Sequence, residues 1–158
     1  MARELLTSWG EFQSAADRLL ALAEREILIY DHDLARLQLD ASFRQDYLRR
    51  LLQPGRADCL RIALRETALV QRTNPRLMRL LADHPTGMTM VKTPDHLAHL
   101  RDAMILVDGR HGLVLFDQDQ PRSKLLTDEG EELEPYCQRF EEIRREGGTP
   151  VSPTTLGL

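Results

Sequence analysis

The sequence is poor in aromatic residues, in cysteine and in long apolar runs, and each scarcity excludes a class of protein. Aromatic residues make up 5% of the 158 positions, too few for the stacking platforms that bind unpaired bases. No run approaches the ~20 apolar residues of a membrane-spanning helix, and the opening Met-Ala-Arg-Glu-Leu-Leu is too short an apolar stretch for a signal peptide. We therefore expect Cys59 and Cys137 to be free thiols in a reducing, cytoplasmic compartment.

Basic charge is also scarce, which argues against a protein devoted to nucleic acid. The chain carries 21 Lys and Arg against 25 Asp and Glu, with a pI near 5.7, whereas nucleic-acid binders usually have a basic excess. Arg far outnumbers Lys, which favours forked recognition of carboxylate or phosphate, although a compositional bias of the source genome explains the same excess. Two clusters are candidate anion contacts, with a solvated face or an ordinary loop as the alternative: Arg44, Arg49, Arg50 and Arg56, and residues 121–124.

What the sequence does contain is an alternation of helical and strand patterns. Apolar spacing, with a Ser8–Glu11 capping box before the first helix, predicts helices over residues 11–24, 40–52, from Asn74-Pro75 onward, and within 128–145, where Pro135 is an alternative start. Apolar runs predict strands over 27–30, 59–64 and 88–91. We predict one domain over residues 1–146, an α/β three-layer sandwich with a mainly parallel central sheet, followed by a flexible C-terminal tail over 147–158.

Residues 104–116 carry the most informative pattern, two apolar runs separated by Asp108-Gly109-Arg110-His111-Gly112. Asp-Gly between apolar runs is typical of a β-hairpin turn, so we predict an antiparallel hairpin at one edge of the sheet. Asp often accepts hydrogen bonds from the amides of its own turn, and we expect Asp108 to do so.

Three segments together resemble half of a phospholipase D-like protein, over about residues 26–117. Ile27–Leu34 is a strand that ends in a polar turn, Arg56–Leu64 is similar to that family's Arg-Gly-Val-x-Val-Arg-Ile-Leu strand, and Met104–Arg110 is similar to the strand that carries the catalytic Asp-Gly. The resemblance implies a phospholipase D-like fold. The whole chain also looks like a bacterial domain that can occur appended to GNAT-type acetyltransferases, which makes an acetyltransferase a candidate partner. The acetyl-CoA-binding loop of those enzymes is absent from this sequence, so their activity is not carried over.

Departures from the phospholipase D pattern argue against its chemistry. Active members carry His-x-Lys-x4-Asp, and with Asp108 at the Asp position the resemblance puts Arg101 in place of the nucleophilic His and Ala103 in place of the phosphate-binding Lys. A guanidinium stays protonated and cannot act as a nucleophile. The Gly-Ser-x-Asn that follows in active members is also missing. The sequence therefore favours a non-catalytic domain that acts by binding or assembly; the alternatives are a divergent phosphodiesterase that uses His99 or His111, and a regulatory module of an acetyltransferase.

Candidate ligand-binding residues follow the first predicted strand and surround the hairpin. Asp31, His32 and Asp33 come at a strand's carboxyl end, where ligands of open α/β sheets collect; a polar strand terminus is the alternative. His99, Arg101, Asp108 and His111 complete the set, with an anionic small molecule as the expected ligand. His96 and His99 have a spacing that suits zinc, although surface histidines are the plainer interpretation, and we expect no metal or cofactor. Because active relatives build one site from two motifs, we expect a homodimer whose groove lies between the two Asp108 loops.

Overall fold

A computed structural model describes residues 1–154 of the chain, which fold around one eight-stranded mixed sheet. The strands are β1 (Ala2–Leu6), β2 (Ile27–Asp31), β3 (Leu60–Leu64), β4 (Met88–Lys92), β5 (Ala103–Val107), β6 (His111–Asp117), β7 (Gln120–Thr127) and β8 (Thr149–Pro150). The helices are α1 (Trp9–Leu22), α2 (Ser42–Leu52), α3 (Val70–Thr73), α4 (Pro75–Asp83) and α5 (Gly130–Arg145), with a 3-10 turn at Asp95–Leu97. No described helix is both long and apolar enough to cross a membrane.

The sheet is mostly antiparallel, so the expectation of a mainly parallel sheet is wrong. Its order is β1-β7-β6-β5-β2-β3-β4-β8, and only the β2–β3 and β3–β4 pairs are parallel. The predicted hairpin is present as β5–β6, but it lies inside the sheet because β5 pairs with β2 and β6 pairs with β7. The strands that cover it, β1 and β7, are rich in polar and exposed residues and so lack the apolar run that identifies a strand in sequence.

The helices are distributed unevenly over the two faces, which differs from the expected three-layer sandwich around a parallel sheet. Along β2, Ile27 and Ile29 point to one face, where they pack in a core with α1 to α4, and Leu28 and Tyr30 point to the other. On that second face α5 supplies the main helical cover of the described residues, through Leu133, Phe140 and Ile143, and Leu97 of the 3-10 turn packs beside it. The fold is therefore α/β, with a mixed sheet whose larger core lies on the α1 side.

Local sequence signals predicted the start of α1 correctly, but the alternative start of α5 at Pro135 is wrong. The Ser8–Glu11 capping box is confirmed, since Ser8 Oγ accepts the Glu11 amide at 3.1 Å and the Glu11 carboxylate accepts the Thr7 amide at 3.1 Å. These bonds lower the pKa of Glu11, the Thr7 amide contributing most. Pro135 is not a helix start: α5 begins at Gly130 and contains Pro135 within it.

The C-terminal segment, which we expected to be a flexible tail from residue 147, lies against the sheet over its first part. Thr149–Pro150 pairs with the end of β4, and the Val151 amide donates to the Met90 carbonyl at 2.9 Å. Gln71 Nε2 donates to the Ser152 carbonyl at 2.6 Å. Residues 155–158 lie outside the described residues, and the domain boundary at residue 146 stays a prediction.

Candidate functional site

A cavity of about 430 Å³ lies at the sheet edge where β2 ends and β5 begins. The antiparallel register pairs Tyr30 with Met104, which brings the carboxyl end of β2 next to the start of β5. The cavity is closed on its sides by α1, by the β2–α2 loop and by the β6–β7 turn. The residues from these elements that line it include Trp9, Phe12, Asp31, His32, Asp33, Arg36, Ala103, Ile105, Leu113, Leu115, Gln118 and Asp119.

Asp31 is the buried acid of this cavity. Its side chain is on the same face of β2 as Ile27 and Ile29, and the residue is 7% exposed. Its Oδ2 accepts the Leu34 amide at 3.1 Å, and this turn holds Leu34 in the left-handed region at φ 69°. Burial raises the pKa of Asp31, and the neighbouring Asp33 raises it further, against the opposing influence of Arg65. Asp31 forms no salt bridge with any residue in the described range 1–154.

Arg101 does not itself line the cavity, but two carboxylates hold its guanidinium and one of them, Asp119, is part of the lining. Nε and Nη2 donate to the two oxygens of Asp117 at 2.9 and 3.0 Å, and Nη2 also donates to Asp119 at 2.5 Å. The Arg101 hydrogen bond lowers the pKa of Asp117 to about 2, and the paired carboxylates raise the pKa of Arg101. Arg101 is therefore neutralised within the chain, while Ala103, two residues on, presents only a methyl group to the cavity.

A second set of charged side chains, on the α5 face, fixes the same strand ends. The buried Arg65 donates to the Asp102 carbonyl at 2.7 Å and to Gln118 Oε1 at 2.8 Å, and its guanidinium lies 4.9 Å from the centre of the Tyr30 ring. Arg139 of α5 binds the Asp102 carboxylate through two bonds of 2.8 and 3.0 Å. Sequence reasoning missed these residues, although Arg65 follows an apolar strand directly, which is the signal that identified Asp31.

Asp108 and His111 lie at the opposite edge of the sheet from Asp31. Asp108 follows β5, five residues from Ala103, which is about 16 Å along the strand at ~3.3 Å per residue. Its carboxylate accepts the amides of Glu24, Arg25 and Glu26 at 2.8–2.9 Å, so it joins the α1–β2 loop to the hairpin and does not bind its own turn as expected. His111 Nδ1 accepts the Asp128 amide at 2.9 Å. The structure therefore does not bring Asp31–Asp33 together with Asp108 or His111.

The remaining histidine and arginine candidates are dispersed. His96 Nε2 is 2.6 Å from Glu146 Oε1, whereas His99 is exposed on the segment before β5. Within residues 1–154 no group of three His, Cys, Asp or Glu side chains is arranged to hold a metal ion.

The arginines of the predicted basic cluster are tied to the protein. Arg44 is buried and binds Asp17 at 2.7 Å and the Leu37 carbonyl. Arg49 pairs with Asp46 at 2.7 Å, and Arg50 and Arg56 donate to carbonyls at the end of α1. Arg44, Arg50 and Arg56 hold α2 and the residues after it against α1, and Arg49 is paired within α2. These bonds leave the four side chains little capacity for an anion.

Comparison with known structures gives the same fold at low sequence identity. Nuc from Salmonella typhimurium, a phospholipase D family member, matches 96% of this chain and 99% of its own, with 11% identity and a TM-score of 0.62. NucT from Helicobacter pylori matches 96% of this chain and 98% of its own, with 12% identity and a TM-score of 0.61. TrmBL2, an archaeal chromatin protein described with a novel mode of DNA binding, matches 96% of this chain at 15% identity and a TM-score of 0.68, but this chain spans only 54% of it.

By sequence, no curated protein matches the chain. The model of one family matches residues 8–147, which make up most of this chain and include every element from α1 to α5. The chain therefore has the fold seen in phospholipase D family members and belongs to the family described as Domain of unknown function (DUF7931).

Proposed function

We propose that this chain is a non-catalytic domain of the phospholipase D fold that acts by binding a small ligand in the cavity at the β2–β5 edge. One observation carries the proposal: Arg101, at the position that the resemblance gives to the nucleophilic His, is held by Asp117 and by Asp119, which lines the cavity. It is permanently protonated and already paired, so it supplies neither a nucleophile nor a free cation.

The charges around the cavity support the same conclusion. Catalysis on a phosphodiester needs cations or amide donors directed at the developing negative charge. Ala103 stands where the resemblance expects a lysine. Among the described residues that line the cavity, Asp31 and Asp33 pair with no arginine or lysine, Asp119 is already paired with Arg101, and Arg36 is the one arginine. An anionic phosphate is therefore disfavoured here, which also weakens our expectation of an anionic ligand for this cavity.

The alternative, a divergent phosphodiesterase, has less support from the geometry. His111 accepts a backbone amide at the far edge of the sheet, and His99 does not line the cavity. A nucleophile needs a cation and a general acid within hydrogen-bond reach, and among residues 1–154 neither histidine has both. The DNA binding attributed to TrmBL2 is likewise not proposed for this chain, whose net charge is −4.

The proposal is tested by incubating the purified protein with a phosphodiester such as bis(p-nitrophenyl) phosphate. We expect no release of nitrophenolate above a heat-denatured control. Turnover that disappears in His99→Ala or His111→Ala, with an unchanged melting temperature, would overturn the non-catalytic assignment. His84→Ala is the control, because His84 lies outside the cavity.

Assembly is a separate part of the proposal. We propose a homodimer. The matches with Nuc and NucT extend over nearly all of this chain and of each of those chains, which supports the view that this chain corresponds to one unit of that fold. Light scattering should give a mass twice the 18.1 kDa of the chain. A monomer mass at tens of micromolar protein would contradict the proposed homodimer. An acetyltransferase partner rests on the sequence resemblance alone, and co-purification would test it.

A further inference from the structure

We propose that the cavity binds a small organic cation, a molecule with an apolar body and one protonated nitrogen that pairs with Asp31. This inference rests on the proposed function, because it takes the cavity at the β2–β5 edge as the binding site. It adds the charge and the shape of the ligand, and it assigns the ligand the sign opposite to that of the phosphodiesters.

The cavity has the dimensions and walls of a small-molecule site. Its volume of about 430 Å³ falls within the roughly 300–1,000 Å³ typical of ligand pockets. Side chains from three elements form an apolar wall: Phe12 of α1, Ile105 of β5, and Leu113 and Leu115 of β6. Burial of apolar surface against this wall would supply most of the affinity, and a few polar groups would set the orientation.

Asp31 is a buried acid of the cavity that forms no salt bridge within residues 1–154, with Arg65 nearby but not in contact as an ion pair. With 7% of its surface exposed, Asp31 is more than nine-tenths buried, and it lines the cavity. Its Oδ2 accepts a hydrogen bond from the Leu34 amide, which orients the carboxylate. The nearby Arg65 directs Nη1 at the Asp102 carbonyl and Nη2 at Gln118 Oε1, and within residues 1–154 its guanidinium forms no hydrogen bond with the Asp31 carboxylate. A buried carboxylate without an ion pair is costly to maintain, and a ligand cation would remove that cost.

The mouth of the cavity already holds a cation on an aromatic face. The Arg36 guanidinium lies 3.6 Å from the centre of the Trp9 ring, and Nη2 reaches the Gln118 carbonyl at 3.5 Å. Arg36 thus spans from the β2–α2 loop to the β6–β7 turn and covers one face of Trp9 at the entrance. Trp9 is the single tryptophan of the chain, so its fluorescence reports directly on occupancy of this cavity.

Three probes of one shape and different charge test the proposal: 4-phenylbutylamine, 4-phenylbutanol and 4-phenylbutyrate. Each is titrated into the full chain while Trp9 fluorescence is followed, with calorimetry as the second measurement. We expect the amine to bind at least tenfold more tightly than the alcohol and the carboxylate not to bind. Asp31→Asn should abolish the tenfold preference for the amine while leaving the affinity for the alcohol within about twofold, which shows that the cavity is intact.

Two further variants keep the test decisive. Asp33 lies at the more exposed part of the cavity, and Asp33→Asn should weaken the binding of the amine two- to threefold. This variant replaces Asp31→Asn in the test if Asp31→Asn fails to fold. Asp46→Asn changes an exposed acid outside the cavity and should change nothing. The proposal is overturned if no probe binds, if the carboxylate binds best, or if the amine binds Asp31→Asn as tightly as the wild type. Preferred binding of the carboxylate would leave the non-catalytic binding function standing, whereas phosphodiester turnover would remove that function itself.

Discussion

Asp108 is expected to contribute more to stability than any other exposed or half-buried acid in the chain, although it lies outside the cavity. Its carboxylate accepts three backbone amides of the α1–β2 loop, those of Glu24, Arg25 and Glu26, at 2.8–2.9 Å. Replacement by alanine removes both acceptor oxygens, and with them all three hydrogen bonds, and leaves these amides to water. Because the amides are exposed or only partly buried, about 0.5–1 kcal/mol for each bond is appropriate, or about 1.5–3 kcal/mol together.

Backbone conformation adds to this loss. Asp108 has φ 55°, in the left-handed region, where alanine costs roughly 1 kcal/mol more than Asp or Asn. Asp108→Ala should therefore lower the free energy of unfolding by about 2.5–4 kcal/mol. A domain of this size loses roughly 2–4 °C of melting temperature per kcal/mol, so the expected decrease is on the order of 10 °C.

Urea denaturation followed by circular dichroism measures the effect, and two other variants separate its causes. Asp108→Asn tolerates the left-handed backbone and keeps one acceptor oxygen, so it should lose about 1–2 kcal/mol. Asp46→Ala removes an exposed acid that pairs only with Arg49 and should stay within about 0.5 kcal/mol of the wild type. If Asp108→Ala also stays within 0.5 kcal/mol, the three bonds contribute nothing measurable and the reasoning is refuted.

Two further predictions concern the core and the cavity. Gly112→Ala should destabilise the protein by roughly 1–3 kcal/mol because the added Cβ would overlap Leu133 Cδ1 of α5. The matched control Gly10→Ala, in an open position of α1, should be neutral or stabilising. Equal melting temperatures for the two variants would contradict the packing described. Asp31→Asn should stabilise the protein at pH 7. Burial raises the pKa of Asp31 from its ordinary 3.8, so the folded state resists ionisation, and the stability gain of the Asn variant should shrink as the pH falls toward 3.8. Melting temperatures measured from pH 3 to 8 check the sign, and a gain that grows at low pH would contradict it.

The outcome for individual elements shows how far local patterns lead. Helix α1 with its Ser8 cap, the buried strands β2 and β3, and the β5–β6 hairpin were all predictable, because spacing, capping and turn chemistry act between residues close in sequence. The resemblance to phospholipase D-like proteins also indicated the fold that the structural comparisons show. Strands β1 and β7 carried no such local signal, since both are rich in polar residues and lack an apolar run, which leaves them defined by their pairing.

The sequence by itself therefore determined the chemistry available at each strand end, including an acid at Asp31 and an arginine at Arg101 in place of a nucleophile. Only the tertiary structure decided which of these residues meet. Because β5 runs antiparallel to β2, Ala103 and Arg101 lie at the same end of these strands as Asp31, while Asp108 and His111 lie at the other end. Strand order and direction depend on hydrogen bonds between residues far apart in sequence, and no local pattern encodes them.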